Sequence, residues 1–399
     1  MYTNRYRFKI EKISLCVYIY TLITFQPISL SYFSIGRLFG NLQDLMLMAF
    51  FALFIYYELK RYWKNKVSTY IKLVLLFDTL YFISTYINIG LQINILTYAL
   101  KKFVILCWIE YIILHKEKRL LSAMANALWT LIIFDFISIV LYPEGLSAFG
   151  IFGWVLGGKN NRFCYVFLAS LLSIISWYQI PDKKKNKMLF KLAILETIAI
   201  VSVVLVKSST STVSVCLLVG FIFLYPVLKS DKFFNMYTYI ISHSVIWVSI
   251  TLYNAVLADK LSEITGFLVG KDATFTGRTP IWNAVLDLIK EKPLWGYGEE
   301  SISANVKRTG ISYFLNTHNQ VLELLYTGGA LLLITFLIIL VLCLMRNHKK
   351  KSVISIFASW SIFALLFEFT QEAIMLEFLL WVILLFVYHA NELSGIDWV

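Results

Sequence analysis

Charged side chains are scarce in this sequence. Only 15% of the 399 residues are Asp, Glu, Lys or Arg, whereas 59% are hydrophobic, and the mean hydropathy is +0.72. Soluble domains are typically about a quarter charged, so the composition argues against two or three soluble domains and favours one integral membrane domain over residues 1–399. The net charge of +12 is attributed to basic residues that flank membrane helices, and no nucleic-acid partner is expected.

Cysteine is also sparse. The five cysteines all lie in apolar runs, their number is odd and no CxxC pair occurs. Disulfides and a cysteine-based metal site are therefore not expected. The basic N-terminus leads into the first apolar run without a small-residue cleavage site near residues 25–32, so this run is interpreted as a retained helix.

Long apolar runs dominate the rest of the chain, and about 20 residues are enough to cross the hydrocarbon of a bilayer. Basic clusters occupy every second connection between these runs, in phase with the basic N-terminus. The positive-inside rule then predicts a multi-pass cell-membrane protein with both termini in the cytoplasm. The all-α fold expected here has about twelve transmembrane helices, at residues 13–33, 41–57, 69–89, 94–114, 120–142, 162–180, 189–207, 211–228, 236–257, 319–344, 353–369 and 372–389.

One predicted external connection, residues 258–318 between helices 9 and 10, is much longer than the others. Its apolar spacing predicts an amphipathic helix that Thr279 caps, with Pro280 at the first helical position and the next proline ending it. We expect this helix to lie on the membrane plane with Trp282 and Trp295 at the interface. The alternative is a solvated, structured linker.

A histidine opens the apolar run that follows this loop. His318 is the only one of the five histidines that the predicted topology assigns to the outer face. Thr317 and Gln320 fit a capping box, which sets His318 at the first helical position. The positive end of the helix dipole disfavours imidazolium there, and a neutral histidine can act as a general base. The alternative is a polar residue at a solvated helix end.

Basic residues on the predicted outer side are candidates for binding a diphosphate, because guanidinium and ammonium groups pair strongly with phosphate oxygens. Lys159 and Arg162 lie in "GGKNNR", Lys207 opens the hairpin "KSSTST", and Arg278 precedes the amphipathic helix. Acidic residues within the predicted spans would also suit a proton-coupled transporter; they are Asp44, Asp78, Glu110, Asp135, Glu196, Glu323, Glu368, Glu372 and Glu377.

Two stretches together carry a resemblance to a known family. "GRTPIWNAVLDLIKEKPLWGYGEES" (277–301) and "THNQVLELLYTGG" (317–329) resemble the signature of the O-antigen ligase and O-antigen or capsule polymerase family. "GGKNN" (157–161) also resembles an outer-loop motif of the polymerases. The signature positions are Gly277, Arg278, Trp282, Pro293, Gly296, Gly298, His318, Asn319, Glu323 and Gly328.

The resemblance implies a GT-C-like glycosyltransferase that needs no metal or other cofactor and acts on lipid-diphosphate-linked sugars at the outer face. By the same resemblance, Arg278 is expected to contact the diphosphate and His318 is expected to be the catalytic base. Many relatives have an arginine in the hairpin that here contains Lys207, which would act as a point charge. The further substrate contacts expected are Lys159, Asn160, Arg162, Lys207, Asn319 and Glu323, and the motif is shaped by Gly277, Trp282, Pro293, Gly296 and Gly298.

Three functions remain open. A polymerase joins repeat units linked to undecaprenyl or another polyprenyl diphosphate, as both donor and acceptor, in capsule, exopolysaccharide or O-antigen synthesis. Its expected partners are membrane lipid, a chain-length regulator and a flippase. A ligase instead transfers a finished glycan to another acceptor, and a transporter moves the lipid-linked oligosaccharide. We favour the polymerase because of "GGKNN", and because the symmetric halves typical of transporters are not found.

Overall fold

The computed structural model describes residues 14–27, 29–30, 36, 38, 40–46, 49, 67–114, 118–147, 153–160, 162–178, 182–228, 237–245, 278–348 and 352–394. Over these residues the secondary structure is helical, apart from one isolated bridge between Trp154 and Gly157. The principal helices are α1 (Ser14–Thr24), α2 (Thr69–Ile89), α3 (Ile93–Leu114), α4 (Lys118–Leu141), α5 (Arg162–Tyr178), α6 (Asp182–Leu205), α7 (Ser209–Leu228), α8 (Arg278–Glu291), α9 (Ile302–Thr309), α10 (Gln320–His348), α11 (Val353–Phe369), α12 (Phe378–Tyr388) and α13 (Ala390–Ser394). Residues 40–46 and 237–245 are also helical.

Four of the described helices are long and apolar enough to cross a membrane. Five further apolar helices are shorter. The helices therefore support a membrane protein, while the count of twelve spans and the orientation of the termini stay predictions. The predicted spans 41–57 and 236–257 lie largely outside the described residues. The four long apolar segments are Thr69–Ile89, Arg119–Leu141, Lys185–Leu205 and Gln320–His348.

The last predicted span, 372–389, is wrong in its extent. Helix α12 covers only Phe378–Tyr388 and rises about 16 Å, short of the roughly 30 Å of hydrocarbon in a bilayer. Helix α12 and its neighbour α5 are almost completely surrounded by protein. In α12 the side chains are buried from 379 to 388, and in α5 they are buried from 162 to 176. A helix that is apolar all round has the same sequence signature in a protein core as in lipid.

The join between α11 and α12 spans residues 370–377, whereas the predicted spans 353–369 and 372–389 leave only residues 370–371 between them. Two side chains at the start of α10 hold it. The Asn319 amide donates to the Thr370 carbonyl at 3.1 Å, and Gln320 Oε1 accepts from the Ile374 backbone N–H at 2.8 Å. This segment is therefore fixed against the N-terminal end of α10.

Helix α8 begins at Arg278, so Thr279 and Pro280 lie within its first turn and the predicted cap is wrong. Its end at Glu291, just before Pro293, agrees with the prediction. A proline within the first turn is tolerated because its missing N–H has no intrahelical partner there. Arg278 therefore projects from the N-terminal end of this helix.

The described part of the predicted outer loop packs on protein. Trp282 is buried among apolar residues of α8, the loop and α10, including Tyr326, and its indole N–H donates to the Thr317 carbonyl at 2.8 Å. The predicted exposure of Trp282 at a membrane interface is therefore wrong, because the apolar face of α8 is covered by the chain itself. Trp295 is partly buried.

A glycine turn in the loop fits into a break in α10. The helix is interrupted at Gly329, with φ 64° and ψ −164°. Backbone groups near the break pair with residues 293–298, where Tyr297 N–H donates to the Tyr326 carbonyl at 2.7 Å and Gly298 N–H donates to the next carbonyl at 2.8 Å. The "PLWGYG" motif therefore attaches the loop to the membrane helix.

Tyr297 is the aromatic centre of this turn. Its hydroxyl donates to Glu291 at 2.7 Å, and the Arg308 guanidinium lies 4.2 Å from the ring centroid. Burial and the hydrogen bond to Glu291 raise the pKa of Tyr297 to about 12. The hydroxyl therefore stays protonated and keeps donating at any physiological pH.

Gly298→Ala is expected to lower the stability of the folded protein strongly. Gly298 has φ +77°, and a Cβ there would lie 2.6 Å from the Thr85 Cα on α2. We expect a loss of at least about 3 kcal/mol, because overpacking adds to backbone strain. Gly310→Ala is the matched control, since Gly310 has φ +72° but nothing within 4 Å of an added Cβ; it should cost only about 1 kcal/mol. Equal apparent melting temperatures of the two variants in detergent would contradict this account.

Candidate functional site

His318 lies just before α10 rather than in its first turn. The helix begins at Gln320, and Asn319 Oδ1 accepts two N–H groups of the first turn, both at 3.1 Å. The predicted cap at Thr317 is therefore wrong, because Asn319 stands where its side chain reaches the free N–H groups of the helix end. His318 is therefore outside the helix, two residues before its first residue.

The backbone of His318 is left-handed, with φ 49°. In the described part of the chain, Lys207 at φ 57° is the other non-glycine residue with positive φ. Such conformations cost about 1–3 kcal/mol and persist where the surroundings impose them. Here the N–H of Thr317 donates to Glu323 Oε2 at 2.9 Å, and the N–H of His318 donates to Asn316 Oδ1 at 2.8 Å. The expected substrate contact Glu323 therefore holds the turn that presents His318.

One carboxylate joins the two predicted catalytic residues. Glu372 Oε1 accepts from Arg278 Nη2 at 2.7 Å and from Asn160 Nδ2 at 2.5 Å, and Oε2 lies 3.5 Å from His318 Nδ1. Arg278 Nη1 also donates to Gln371 Oε1 at 2.6 Å. The side chains of Arg278, His318 and Glu372 are 14%, 25% and 10% exposed. The cluster is therefore largely shielded, and His318 is more exposed than Arg278 or Glu372.

Hydrogen bonds behind the cluster orient Asn160. Ser208 Oγ lies 2.9 Å from both Asn160 Oδ1 and Ser211 Oγ, and Ser211 donates to Glu368 Oε1 at 2.9 Å. Ser208, Ser211 and Glu368 are buried. Because the Asn160 carbonyl faces Ser208, its NH₂ group is directed at the carboxylate of Glu372.

Arg162 is committed to a different partner. Its Nε lies 2.9 Å from Asp135 Oδ2, its Nη1 donates to the Lys159 carbonyl at 2.8 Å, and the guanidinium carbon lies 5.0 Å from the Trp154 ring centroid. Arg162 is 1% exposed, and its charge is compensated inside the protein. The structure therefore uses Arg162 to fix the turn that carries Asn160, and the Lys159 side chain is exposed beside it.

Lys207 lies in the tight turn between α6 and α7, where the sequence predicts a hairpin, and this prediction is confirmed. Its side chain is exposed, and its neighbour Ser208 belongs to the network behind Asn160. The turn therefore directs one cation outward from the edge of the cluster. Gly277, the remaining residue of the predicted motif, lies outside the described residues.

Glu372 and Gln371 were missed by the reasoning from sequence, which noted Glu372 only as one of several acids within apolar runs. The signal was present in "TQE" (370–372), a polar triplet between two apolar runs. A run of this kind resembles an ordinary hairpin between spans until the fold shows which loops it meets.

The cluster joins four connections that the charge pattern assigns to the outer side. Asn160, Ser208 and Glu372 come from the connections after α4, α6 and α11, and Arg278 and His318 come from the long loop. Connections on one side of a membrane must meet at one end of a helical bundle. Their contacts therefore agree with the alternation of the basic clusters.

Single cysteines introduced at Lys307 are expected to react with a membrane-impermeant thiol reagent in intact cells, whereas cysteines at Lys184 and Lys349 react only after lysis. The reason is that basic clusters occupy every second connection, and the positive-inside rule assigns those connections to the cytoplasm. The test needs a background without the five native cysteines. Labelling at Lys307 only after lysis would overturn the proposed orientation and the outer location of the cluster.

The loop and the helix that carry Arg278 and His318 lie within a segment that is similar to a known family. Residues 192–337 match the O-antigen ligase family. The match includes Ser208, Arg278 and His318, whereas Asn160 and Glu372 lie outside it. The resemblance seen in the sequence is thereby confirmed, and no curated protein matches the chain significantly. The O-antigen ligase match supports a membrane enzyme of glycan assembly, of ligase or polymerase type.

Proposed function

We propose that the protein is a polymerase that joins oligosaccharide repeat units carried on a polyprenyl diphosphate, at the outer face of the membrane. The observation that carries this proposal is the cluster in which Arg278, His318 and Asn160 meet around Glu372. It combines a guanidinium suited to a diphosphate with an imidazole suited to general-base catalysis. Both lie within the segment that matches the O-antigen ligase family.

The reaction needs few groups from the protein, because a glycosyl diphosphate already has a good leaving group. An acceptor hydroxyl oxygen attacks the anomeric carbon, and the bond from that carbon to the diphosphate oxygen breaks. The electron pair leaves with the polyprenyl diphosphate, where Arg278 stabilises the growing negative charge. The hydroxyl proton passes to His318. Lys207, exposed at the edge of the cluster, contributes a second cation.

A specific contact favours polymerase over ligase. Asn160 belongs to "GGKNN", the stretch that resembles a polymerase motif, and it donates to Glu372 at 2.5 Å. The motif therefore takes part in the cluster instead of lying on a remote surface. A ligase that transfers finished glycan to another acceptor is the second candidate, because it would use the same donor chemistry.

A transporter of lipid-linked oligosaccharide is the candidate from a different class. Broken helices are typical of transporters, whose freed backbone groups bind substrate or ions. Helix α10 is broken at Gly329, but carbonyls before the break accept from Tyr297 and Gly298. The break therefore serves to attach the loop, which favours an enzyme with a structured outer loop.

The three functions are separated by incubating the purified full-length protein, reconstituted in vesicles, with a polyprenyl-diphosphate-linked repeat unit. A ladder of glycans longer by whole repeats supports the polymerase. Transfer only to an added lipid-glycan acceptor supports the ligase. Movement of the lipid-linked oligosaccharide across the bilayer without a new glycosidic bond would overturn both enzyme assignments.

A further inference from the structure

Glu372 divides its two oxygens between the proposed diphosphate contact and the proposed base. Oε1 accepts from Arg278 and Asn160, whereas Oε2 faces His318 Nδ1 at 3.5 Å. The carboxylate is 10% exposed, and Glu372 is not one of the signature positions. An anion that occupies the guanidinium of a proposed phosphate-binding arginine must compete with the substrate for that arginine.

We propose that Glu372 is a positioning residue that occupies Arg278 until the donor diphosphate displaces it, and that then orients His318 and stabilises its protonated form. This inference rests on the proposed function. It assigns to Glu372 two effects of opposite sign, since the same carboxylate weakens donor binding and assists glycosyl transfer.

The exchange follows from charge. A diphosphate carries more negative charge than a carboxylate and offers several oxygens to the guanidinium fork. When the diphosphate binds Arg278 in place of Glu372, the carboxylate of Glu372 is left at short range from a second anion, which is unfavourable. The imidazole of His318 lies on the other side of the carboxylate, 3.5 Å from Oε2. Once released from Arg278, Glu372 therefore pairs with His318 and stabilises the imidazolium that forms when the acceptor hydroxyl gives up its proton.

The ring geometry agrees with this role. When Nδ1 carries the proton and donates to Glu372, Nε2 of the neutral imidazole is the nitrogen that accepts the hydroxyl proton. The separation of 3.5 Å is long for a hydrogen bond, and such contacts commonly shorten when substrate binds. A charged imidazolium forms the stronger bond to a carboxylate. The carboxylate thus helps the transition state more than the resting state.

Hydrogen bonds hold the backbone that carries Glu372 and the side chain of Asn160 beside it. The backbone of 370–377 is held by Asn319 and Gln320 at the start of α10. Asn160 is held in turn by Ser208. The segment therefore keeps its place while the carboxylate of Glu372 shifts from Arg278 towards His318.

Glu372→Gln tests the proposal, with a polyprenyl diphosphate without sugar as the binding probe and the full-length protein in detergent. The variant is expected to bind the probe at least about threefold more tightly, because a competing anion is gone. Its kcat for glycan transfer is expected to fall by at least about tenfold, because the imidazolium loses its partner. Weaker probe binding, or unchanged kcat, would overturn the proposal, because a merely structural role predicts losses in both quantities.

Two further variants keep the test decisive. Asp287→Asn removes one negative charge from an exposed pair on the same helix as Arg278, and it should leave the probe Kd and kcat within about twofold. Tighter probe binding in this control would mean that net charge alone explains the effect. If Glu372→Gln does not fold, Glu372→Asp serves, since its shorter carboxylate cannot span both partners. It is expected to bind the probe no more weakly than wild type and to transfer more slowly, and weaker binding would contradict the exchange.

The binding measurement also separates this inference from the proposed function. If wild-type protein forms no glycosidic bond but Glu372→Gln still binds the polyprenyl diphosphate more tightly, the polymerase proposal fails and the anion exchange at Arg278 stands. If wild-type protein polymerises and Glu372→Gln binds no more tightly, the polymerase stands and the exchange is wrong.

Discussion

Arg278→Ala is expected to reduce glycan polymerisation by about 10²–10³-fold while the protein still inserts into the membrane. The guanidinium lies at the start of α8, with Nη1 2.6 Å from Gln371 Oε1 and Nη2 2.7 Å from Glu372 Oε1. Loss of one group that stabilises charge in the transition state typically has an effect of this size. The measurement is the rate of glycan ladder formation by purified protein, normalised to the amount of folded protein.

Arg278→Lys is expected to restore only part of the rate, because an ammonium lacks the planar fork that contacts two oxygens at once. Lys290→Ala is the matched control, since Lys290 is an exposed cation on the same helix, in a pair with Asp287. It should stay within about twofold of wild type. Normal polymer formation by Arg278→Ala at normal protein level would exclude Arg278 from diphosphate binding.

The loss in Arg278→Ala has a second possible origin, because Glu372 would be left as a shielded charge without its cation, which is destabilising. The double variant with Glu372→Gln removes that charge. If the double variant transfers as fast as Glu372→Gln alone, the defect was the unpaired carboxylate. If the protein becomes as stable as wild type but stays far slower than Glu372→Gln alone, Arg278 contributes directly to the chemistry, which is the outcome we expect.

His318→Gln is expected to slow transfer by about 10²–10⁴-fold, the usual contribution of a general base, while polyprenyl diphosphate binding stays close to wild type. An amide keeps a hydrogen bond but does not accept the proton. The ring lies 3.5 Å from Glu372 and is 25% exposed, more than Arg278 or Glu372. Single-turnover assays measure the chemical step separately from binding.

The left-handed backbone of His318 offers a sharper comparison. Asparagine tolerates φ 49° better than glutamine does, so His318→Asn retains the turn and removes only the base. We expect His318→Asn to be as slow as His318→Gln. Near-normal transfer by His318→Asn would assign the histidine to the turn instead of the chemistry. His348→Gln is the control, since His348 is exposed at the far end of α10, and it should have the wild-type rate.

Reasoning from sequence succeeded where the physical cause is local. The extents of α2 and α11 agree with the predicted spans 69–89 and 353–369, because each is a mainly apolar run that follows a capping serine. The end of α8 before Pro293 was predicted because proline excludes helix from the residue preceding it. Local rules failed at the caps, since Asn319 and Thr317 are both good capping residues and only the final backbone selects between them.

Composition and spacing by themselves determined that the chain is a helical membrane protein, and that Arg278 and His318 are candidates for its chemistry, because hydropathy and charge act residue by residue. Only the tertiary structure decided that Glu372 joins these two residues, that Arg162 is neutralised by Asp135, and that α12 is a buried helix too short to span the membrane. Each of these depends on which connections meet across the bundle. That choice rests on packing between segments far apart in the chain, and no single run of residues encodes it.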